Sequence, residues 1–443
     1  MKRAYEVLQE RGFVEQVTDE SLISDLFAKG PVTCYIGFDP TAASLHIGSL
    51  VPIMALAHMQ RCGNRPIALV GGGTGLIGDP SGKTEMRQVL TREQIDQNAS
   101  SIGKQLSRYI DFSDGRALLL NNADWLTKIN YIEFLRDIGR HFSVNRMLAA
   151  ESYRIRLEKG LNFIEFNYML LQGYDFLYLF QHYGCALQMG GNDQWGNMLA
   201  GTELIRKVEA KDAQAVTFPL ITTSTGHKMG KTEKGTVWLD GALTAPYEYY
   251  QYWVNCDDAD VERFLKLFTF LPLSDIAVVK TLADARLNMA KAVLAYEATK
   301  VTHGTDAAKA AWRASMEAFH ARPVEADLFP GSDIPREIHA SLSVTLPSLQ
   351  VTASAIVTSA IPHYYITSKD IDAGLLVSSL CAKAGLTQSM SEAKRLIGQG
   401  GIYIGERQVK SPDEKLSPDD FAGSRELRIR KGKKKYLIVE IKG

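Results

Sequence analysis

The stretch VTCYIGFDPTAASLHIGSL, residues 32–50, decides how this chain is read. Its first seven residues form an apolar run rich in β-branched and aromatic types, which reads as a strand. A long helical pattern opens near His46. His46 and Gly48 therefore stand where a strand hands over to a helix. Four further short apolar runs follow: RPIALVGG (65–72), ALLLN (117–121), CALQMGG (185–191) and AVTFPLI (215–221). Long helical patterns lie between most of them. This alternation predicts an α/β fold with a mostly parallel sheet covered by helices. Such sheets bind ligands in the crevice at the carboxyl ends of their strands.

At 443 residues the chain has room for two or three domains, and its 45% hydrophobic content is that of a globular protein. No apolar run is long enough to span a bilayer, so no membrane role is expected. MKRAYEVLQERGF at the N-terminus is charged and reads as an amphipathic helix rather than an export signal. Cys34, Cys62, Cys185, Cys256 and Cys381 are widely spaced and contain no CxxC pair. They fit reduced cytosolic thiols better than a disulfide framework or a zinc ribbon.

Beyond Gly241 the strand signals stop. ADVERFLKLFTFL and DARLNMAKAVLAYEATKVTHG predict a helical domain. Residues 322–362 carry Pro323, Pro330, Pro335, Pro347 and Pro362, which suggests a linker region. The net charge is zero overall, yet residues 371–443 hold 14 Lys and Arg against 9 Asp and Glu. A basic end on an acidic body fits either a solvated surface or a polyanion partner.

Three motifs lie after strand-like runs or on the helices between them. GGGTGLIGDPSGKT (71–84) contains Gly73, Gly75 and Gly78 in a dinucleotide-like spacing, but Asp79-Pro80 follows where a helix should open. It also falls one residue short of a P-loop between Gly78 and Gly82. A loop that brings backbone close to a ligand, with Asp79 and Lys83 as opposite charges, and a plain tight turn both remain open. On EFNYMLLQGYDFLYLFQHY (165–183), Tyr168, Gln172 and Asp175 fall at i, i+4 and i+7 and share one face. That stripe either lines a polar pocket suited to a hydroxyl-bearing ligand or pairs internally. GHKMGKT (226–232) sets Lys228 and Lys231 about a glycine, an arrangement able to close on a polyphosphate.

Together these residues resemble a known family. HIGS is similar to the HIGH signature, and KMGKT to the KMSKS signature, of class I aminoacyl-tRNA synthetases. YIGFDPTAASLHIG, GLIGDPSGK, YMLLQGYD and GGNDQWGN look like bacterial tyrosyl-tRNA synthetases. AKAGLTQSMSEAKRLIGQGGIYIGERQV resembles a small RNA-binding fold also seen in a ribosomal protein. The resemblance implies a Rossmann-like catalytic domain (1–220), a KMGKT loop segment (221–240), a helical domain (241–325), a linker region (326–370) and a basic α+β RNA-binding domain (371–443). It implies a cytoplasmic homodimer that joins tyrosine to its tRNA through tyrosyl-adenylate. ATP and Mg2+ would serve as substrate, with no protein-built metal cage.

By the same resemblance, Tyr35 and Asp175 hold the substrate phenol. Asp79, Tyr168 and Gln172 hold its ammonium, and Gln194 lies near its carboxyl. Gly37, Asp39, Gly48 and Asp193 line the adenosine site. Thr41, His46, Lys83, Arg87, Lys228 and Lys231 meet the departing pyrophosphate. Ser49 replaces the second histidine of the signature and cannot carry charge. Pro52 would kink a helix that began at His46. Rival readings are another HIGH-type adenylyl transferase, a tryptophan enzyme of the same class, and a non-catalytic RNA-binding relative.

Overall fold

The computed structural model describes residues 3–79, 90–150, 153, 154, 157, 158, 160–224, 226, 229–232, 235–319, 322–337, 363–387, 389–405, 407–421, 424–432 and 435–442. For residues 231, 232, 363 and 435 only the backbone is described. The chain gathers into two compact units. The first is Met1–Thr244, Trp253–Gly304 and Asp327–Asp333; the second is Ala245–Tyr252, Thr305–Ala326 and Ile334–Gly443.

The first unit is built on a six-stranded sheet. Its strands are β1 (Gln16–Val17), β2 (Thr33–Phe38), β3 (Arg65–Val70), β4 (Leu118–Asn121), β5 (Cys185–Gly191) and β6 (Gln214–Phe218). Their spatial order is β1-β6-β5-β2-β3-β4. All neighbours run parallel except β1, which pairs antiparallel with β6. Burial explains the unbroken apolar runs of the inner strands, and all five residues of β6 are buried, whereas the edge strand β4 is half-buried to exposed. From β2 the chain steps outward to β3 and β4 on one side, and β5 and β6 occupy the other. The carboxyl ends of β2 and β5 thus flank the point where strand order reverses, the place such sheets offer a ligand.

Two helices deliver side chains to that crevice. Phe163–Tyr183 starts with a capping box, in which Asn162 accepts from the Glu165 amide at 3.0 Å and Glu165 accepts from the Asn162 amide at 3.3 Å. It ends at Gly184, whose φ of 66° suits the left-handed cap. The other helix corrects an expectation. Residues Ile47–Ser49 form a single 3-10 turn, and the α-helix begins only at Leu50. Pro52 therefore sits in the first helical turn, where its missing N–H is not needed, and no kink is required.

In the second unit a five-stranded sheet has the order β11-β10-β12-β13-β9. These strands are β9 (His363–Thr367), β10 (Ile402–Ile404), β11 (Arg407–Gln408), β12 (Glu426–Lys431) and β13 (Lys435–Lys442). β9 falls inside the region expected to be linker, yet it pairs parallel with β13. The segment LQVTASAIVTSA lies outside the described residues. Leu427 and Ile429 on β12 join the buried core, and the intervening Arg428 is exposed, as a period of two requires. Tyr436 donates to the Ala318 carbonyl at 3.1 Å, and Ile438 is buried with Ala314 of the helix Thr305–Phe319.

Candidate active site

Tyr35, on β2, is 1% exposed, and its hydroxyl has no hydrogen-bond partner among the described residues. An orphaned buried hydroxyl is costly, so the position is suited to an incoming ligand group. Asp175 is 2% exposed on the helix Phe163–Tyr183. Its carboxylate is not bare: Asn122 donates from Nδ2 at 2.8 Å and Trp125 from Nε1 at 2.7 Å. Burial pushes the Asp175 carboxyl up from 3.8 to about 7, against the pull of these two donors. Burial, then the nearby Asp175, holds the Tyr35 phenol well above its usual value. The pair forms a polar floor inside an apolar wall that includes Phe176, whose ring centroid is 5.3 Å from that of Tyr35.

Asn122 and Trp125 were not singled out in the sequence. Both follow β4, at the carboxyl edge of the sheet, and that position was the available signal. Asn122 is 1% exposed and also ties down the glycine-rich loop. Its Oδ1 accepts from the Gly73 amide at 2.7 Å, and its Nδ2 donates to Thr74 Oγ1 at 3.0 Å. Two glycines at the start of the loop make room for polar side chains. A Cβ on Gly71 would lie 2.6 Å from Thr74 Oγ1, and one on Gly72 would lie 2.3 Å from Asn121 Oδ1. Gln188 was missed as well; it pairs in register with Tyr35 and is 3% exposed, with its Oε1 unpartnered among the described residues.

A second polar group is continuous. Asn197 donates from one amide nitrogen to Gln172 Oε1 at 3.0 Å and to Gln194 Oε1 at 3.1 Å. Gln194 in turn donates to Asp79 Oδ2 at 2.8 Å. Gln172, Gln194 and Asp79, far apart in sequence, thus meet through Asn197, itself unremarked in the sequence. Tyr168 is buried beside them, hydrogen-bonded to Thr74; its phenol is held well above its usual value by burial, then by Asp39, Asp79 and Asp175.

His46 caps the 3-10 turn: its Nδ1 accepts from the Gly48 amide at 3.0 Å. In the neutral ring that bond puts the proton on Nε2, which becomes the donor. The reason for glycine at 48 is the histidine itself, because a Cβ there would lie 2.7 Å from His46 Cε1. The ring therefore stands on the side of Gly48 where a Cβ would be. Gly37 is exposed on β2 with open space where a Cβ would stand. Thr41 is exposed past the end of β2, and its amide donates to the Asp39 carbonyl at 2.9 Å. Ser49 is half-buried and its side chain makes no cap bond. Lys83, Arg87 and Lys228 lie outside the described residues, and Lys231 contributes only the backbone of β7 (Lys231–Thr232).

Asp193 is exposed just beyond β5. Beside it opens a cavity of about 650 Å³, whose lining includes Arg146, Asn192, Trp195, Glu203 and Lys207. Lys207 bonds Glu203 at 3.0 Å, while Phe142, Met147, Leu199 and Leu204 make much of the remaining wall apolar.

The chain has counterparts among known proteins. A model of the class I tRNA synthetases for tryptophan and tyrosine matches residues 28–320, and one of the tyrosine–tRNA ligase C-terminal domain matches residues 355–439. The tyrosine–tRNA ligase of Syntrophus aciditrophicus is 59% identical over 441 residues, covering 100% of this chain and 99% of its own. The chain belongs to the tyrosine–tRNA ligase family, within the class I aminoacyl-tRNA synthetases. Its activity is the attachment of tyrosine to tRNA, with ATP as co-substrate. The tyrosine–tRNA ligase of Desulfosudis oleivorans is 55% identical over 439 residues, covering 99% of this chain and 98% of its own. A solved, C-terminally truncated mitochondrial tyrosyl-tRNA synthetase of Aspergillus nidulans superimposes with a TM-score of 0.66 at 32% identity, covering 72% of this chain and 95% of its own.

Proposed function

We propose that Tyr35 and Asp175 receive the phenol of tyrosine, and that the orphaned Tyr35 hydroxyl beside a doubly held carboxylate is the observation that carries this reading. The phenol donates to Asp175 and accepts from Tyr35. Phenylalanine leaves the Tyr35 hydroxyl buried and unpaired and brings Asp175 no donor beyond Asn122 and Trp125, a cost that tyrosine avoids. Asp79, Tyr168 and Gln172 take the ammonium, and Gln194 lies near the carboxylate. The substrate carboxylate then attacks the α-phosphorus of ATP, and pyrophosphate departs.

His46 donates from Nε2 to a phosphoryl oxygen, and Thr41, Lys83, Arg87, Lys228 and Lys231 meet the charge growing on pyrophosphate. Gly37, Asp39, Gly48 and Asp193 border the adenosine. Ser49 acts at most through one neutral hydrogen bond. Magnesium enters with the ATP phosphates, which hold it with water rather than in an all-protein cage. The 3′-terminal adenosine of tRNA then takes the tyrosyl group. Exchanging Asp175 for alanine should cost tyrosine affinity and much of the discrimination against phenylalanine; undiminished rejection of phenylalanine would remove the assignment.

The enzyme acts as a homodimer. Phe163 and Ile164 are 68% and 54% exposed, and Tyr131, Ile132 and Val144 are exposed too. They lie on elements that share one small core around Phe134, Met147 and Met169, so their outward faces adjoin. Sedimentation of Phe163→Asp should give a monomer at concentrations where the parent is dimeric. No described helix is long and apolar enough to cross a membrane, and none of the five cysteines is in a disulfide. A cytoplasmic setting agrees with both.

A further inference from the structure

The two signatures lie far apart in sequence, yet a short antiparallel ladder joins them. The Ile47 amide donates to the Val237 carbonyl at 3.0 Å, and the Leu239 amide donates to the Leu45 carbonyl at 2.9 Å. Between these bonds His46 and Trp238 are bridge partners. Their rings meet edge to face, 6.3 Å apart at 64°. One residue earlier, the Val237 amide donates to the carbonyl of Gly230, inside KMGKT, at 2.9 Å. Gly230 has a φ of 91°, and a Cβ on it would lie 3.4 Å from the Gly48 nitrogen and 3.7 Å from His46 Nδ1.

Trp238 is itself fixed from behind. Its amide donates to Thr244 Oγ1 at 2.9 Å, and the Asp240 amide donates to Ser44 Oγ at 3.2 Å. Ser44 Oγ donates to the Leu45 carbonyl at 2.8 Å, and Gln105 Oε1 accepts from the Leu45 amide at 3.0 Å. The His46 ring is solvent-facing and would otherwise swing about two torsions. The Gly48 amide holds one edge of it, and Trp238 packs against it from the neighbouring strand.

We infer that Trp238 is a positioning residue for His46, and that it couples the imidazole to the KMGKT segment through the Leu45–Ile47 and Val237–Leu239 ladder. Trp238 touches no reacting atom; it sets where Nε2 points. The inference rests on the proposed role of His46 at the phosphoryl group.

The test is a double-mutant cycle on the full-length enzyme with MgATP and tyrosine, read by pre-steady-state adenylate formation. Trp238→Leu should slow this step about 3- to 10-fold, the scale of one aromatic contact, with tyrosine affinity unchanged. Trp238→Phe, which keeps an aromatic edge, should recover most of the rate. In a His46→Ala background, Trp238→Leu should cost almost nothing. An equal cost in both backgrounds, or no cost in the parent, overturns the coupling. A parental rate for His46→Ala alone would instead overturn the role of His46. Should Trp238→Leu lose tyrosine binding, the same cycle with Trp238→Met decides the matter.

Discussion

Trp125 donates its indole N–H to the Asp175 carboxylate at 2.7 Å, while its ring stacks on Tyr178 at 4.3 Å. One face of the indole is thus structural, and one edge aims the carboxylate that reads the substrate. Trp125→Phe keeps an aromatic ring and removes only the donor. A hydrogen bond to a charged group is worth about 1.5–3 kcal/mol, so tyrosine Kd should rise roughly tenfold or more. Phenylalanine, which makes no bond to Asp175, should bind as before. Equilibrium dialysis with both amino acids checks this, and equal losses for both would assign Trp125 to packing alone.

Protonation of Asp175 gives the site a pH signature. Burial raises its carboxyl to about 7, so the free enzyme holds a proton there below neutrality. The phenol of bound tyrosine donates to the ionised form, which lowers that value in the complex. Binding near pH 6 should therefore release about one proton, and binding near pH 8 almost none. Tyrosine Kd should rise as the pH falls through 7. Calorimetric titration in buffers of different ionisation heat measures the release directly; none at the lower pH would place the Asp175 proton elsewhere.

Gly48 is required by the imidazole that leans on it. In Gly48→Ala the new Cβ would lie 2.7 Å from His46 Cε1, and the ring, being the movable partner, gives way. A displacement near 1 Å at a group that must meet the transition state can cost about 10²-fold. Adenylate formation should fall on that scale, while tyrosine binding, which uses the other side of the crevice, stays within about twofold of the parent. Stopped-flow measurement of both separates the two.

The C-terminal sheet unit should anchor RNA by charge. Arg395 is exposed on the helix Met390–Gly398, and Lys394 pairs with Asp413 at 3.1 Å, exposed on both sides. Exchanging both for glutamine should lower tRNA affinity, and should reduce the slope of log K against log salt by roughly 1 to 2. Adenylate formation should not change. An unaltered salt slope would move the phosphate contacts to other cations.

Much of this was legible from residue order. Strands buried inside the sheet leave unbroken apolar runs, so β2, β3, β5 and β6 could be read directly, as could the apolar run of the edge strand β4, and the polar stripe of Tyr168, Gln172 and Asp175 survived as one face of one helix. β1 is two residues long and carries no pattern, and β9 hides at the end of a proline-rich stretch. Asn122 and Trp125 escaped because they reach Asp175 across about 50 residues of chain, through a sheet whose order no local pattern encodes. At Gly48 residue order signalled a close approach but not the imidazole that makes it. A glycine announces that something approaches closely, not whether it is a ligand or the neighbouring imidazole. The expected helix start at His46 failed by one 3-10 turn, which also removed the difficulty at Pro52.

ATP–pyrophosphate exchange, run with each standard amino acid on the parent and on Asp175→Ala, tests the central claim most directly. The account predicts exchange in the parent with tyrosine alone, and in Asp175→Ala a weakened tyrosine signal with phenylalanine now close behind it. Exchange driven by another amino acid in the parent, or an alanine variant that still prefers tyrosine as strongly as the parent, would contradict the claim that Tyr35 and Asp175 select the substrate.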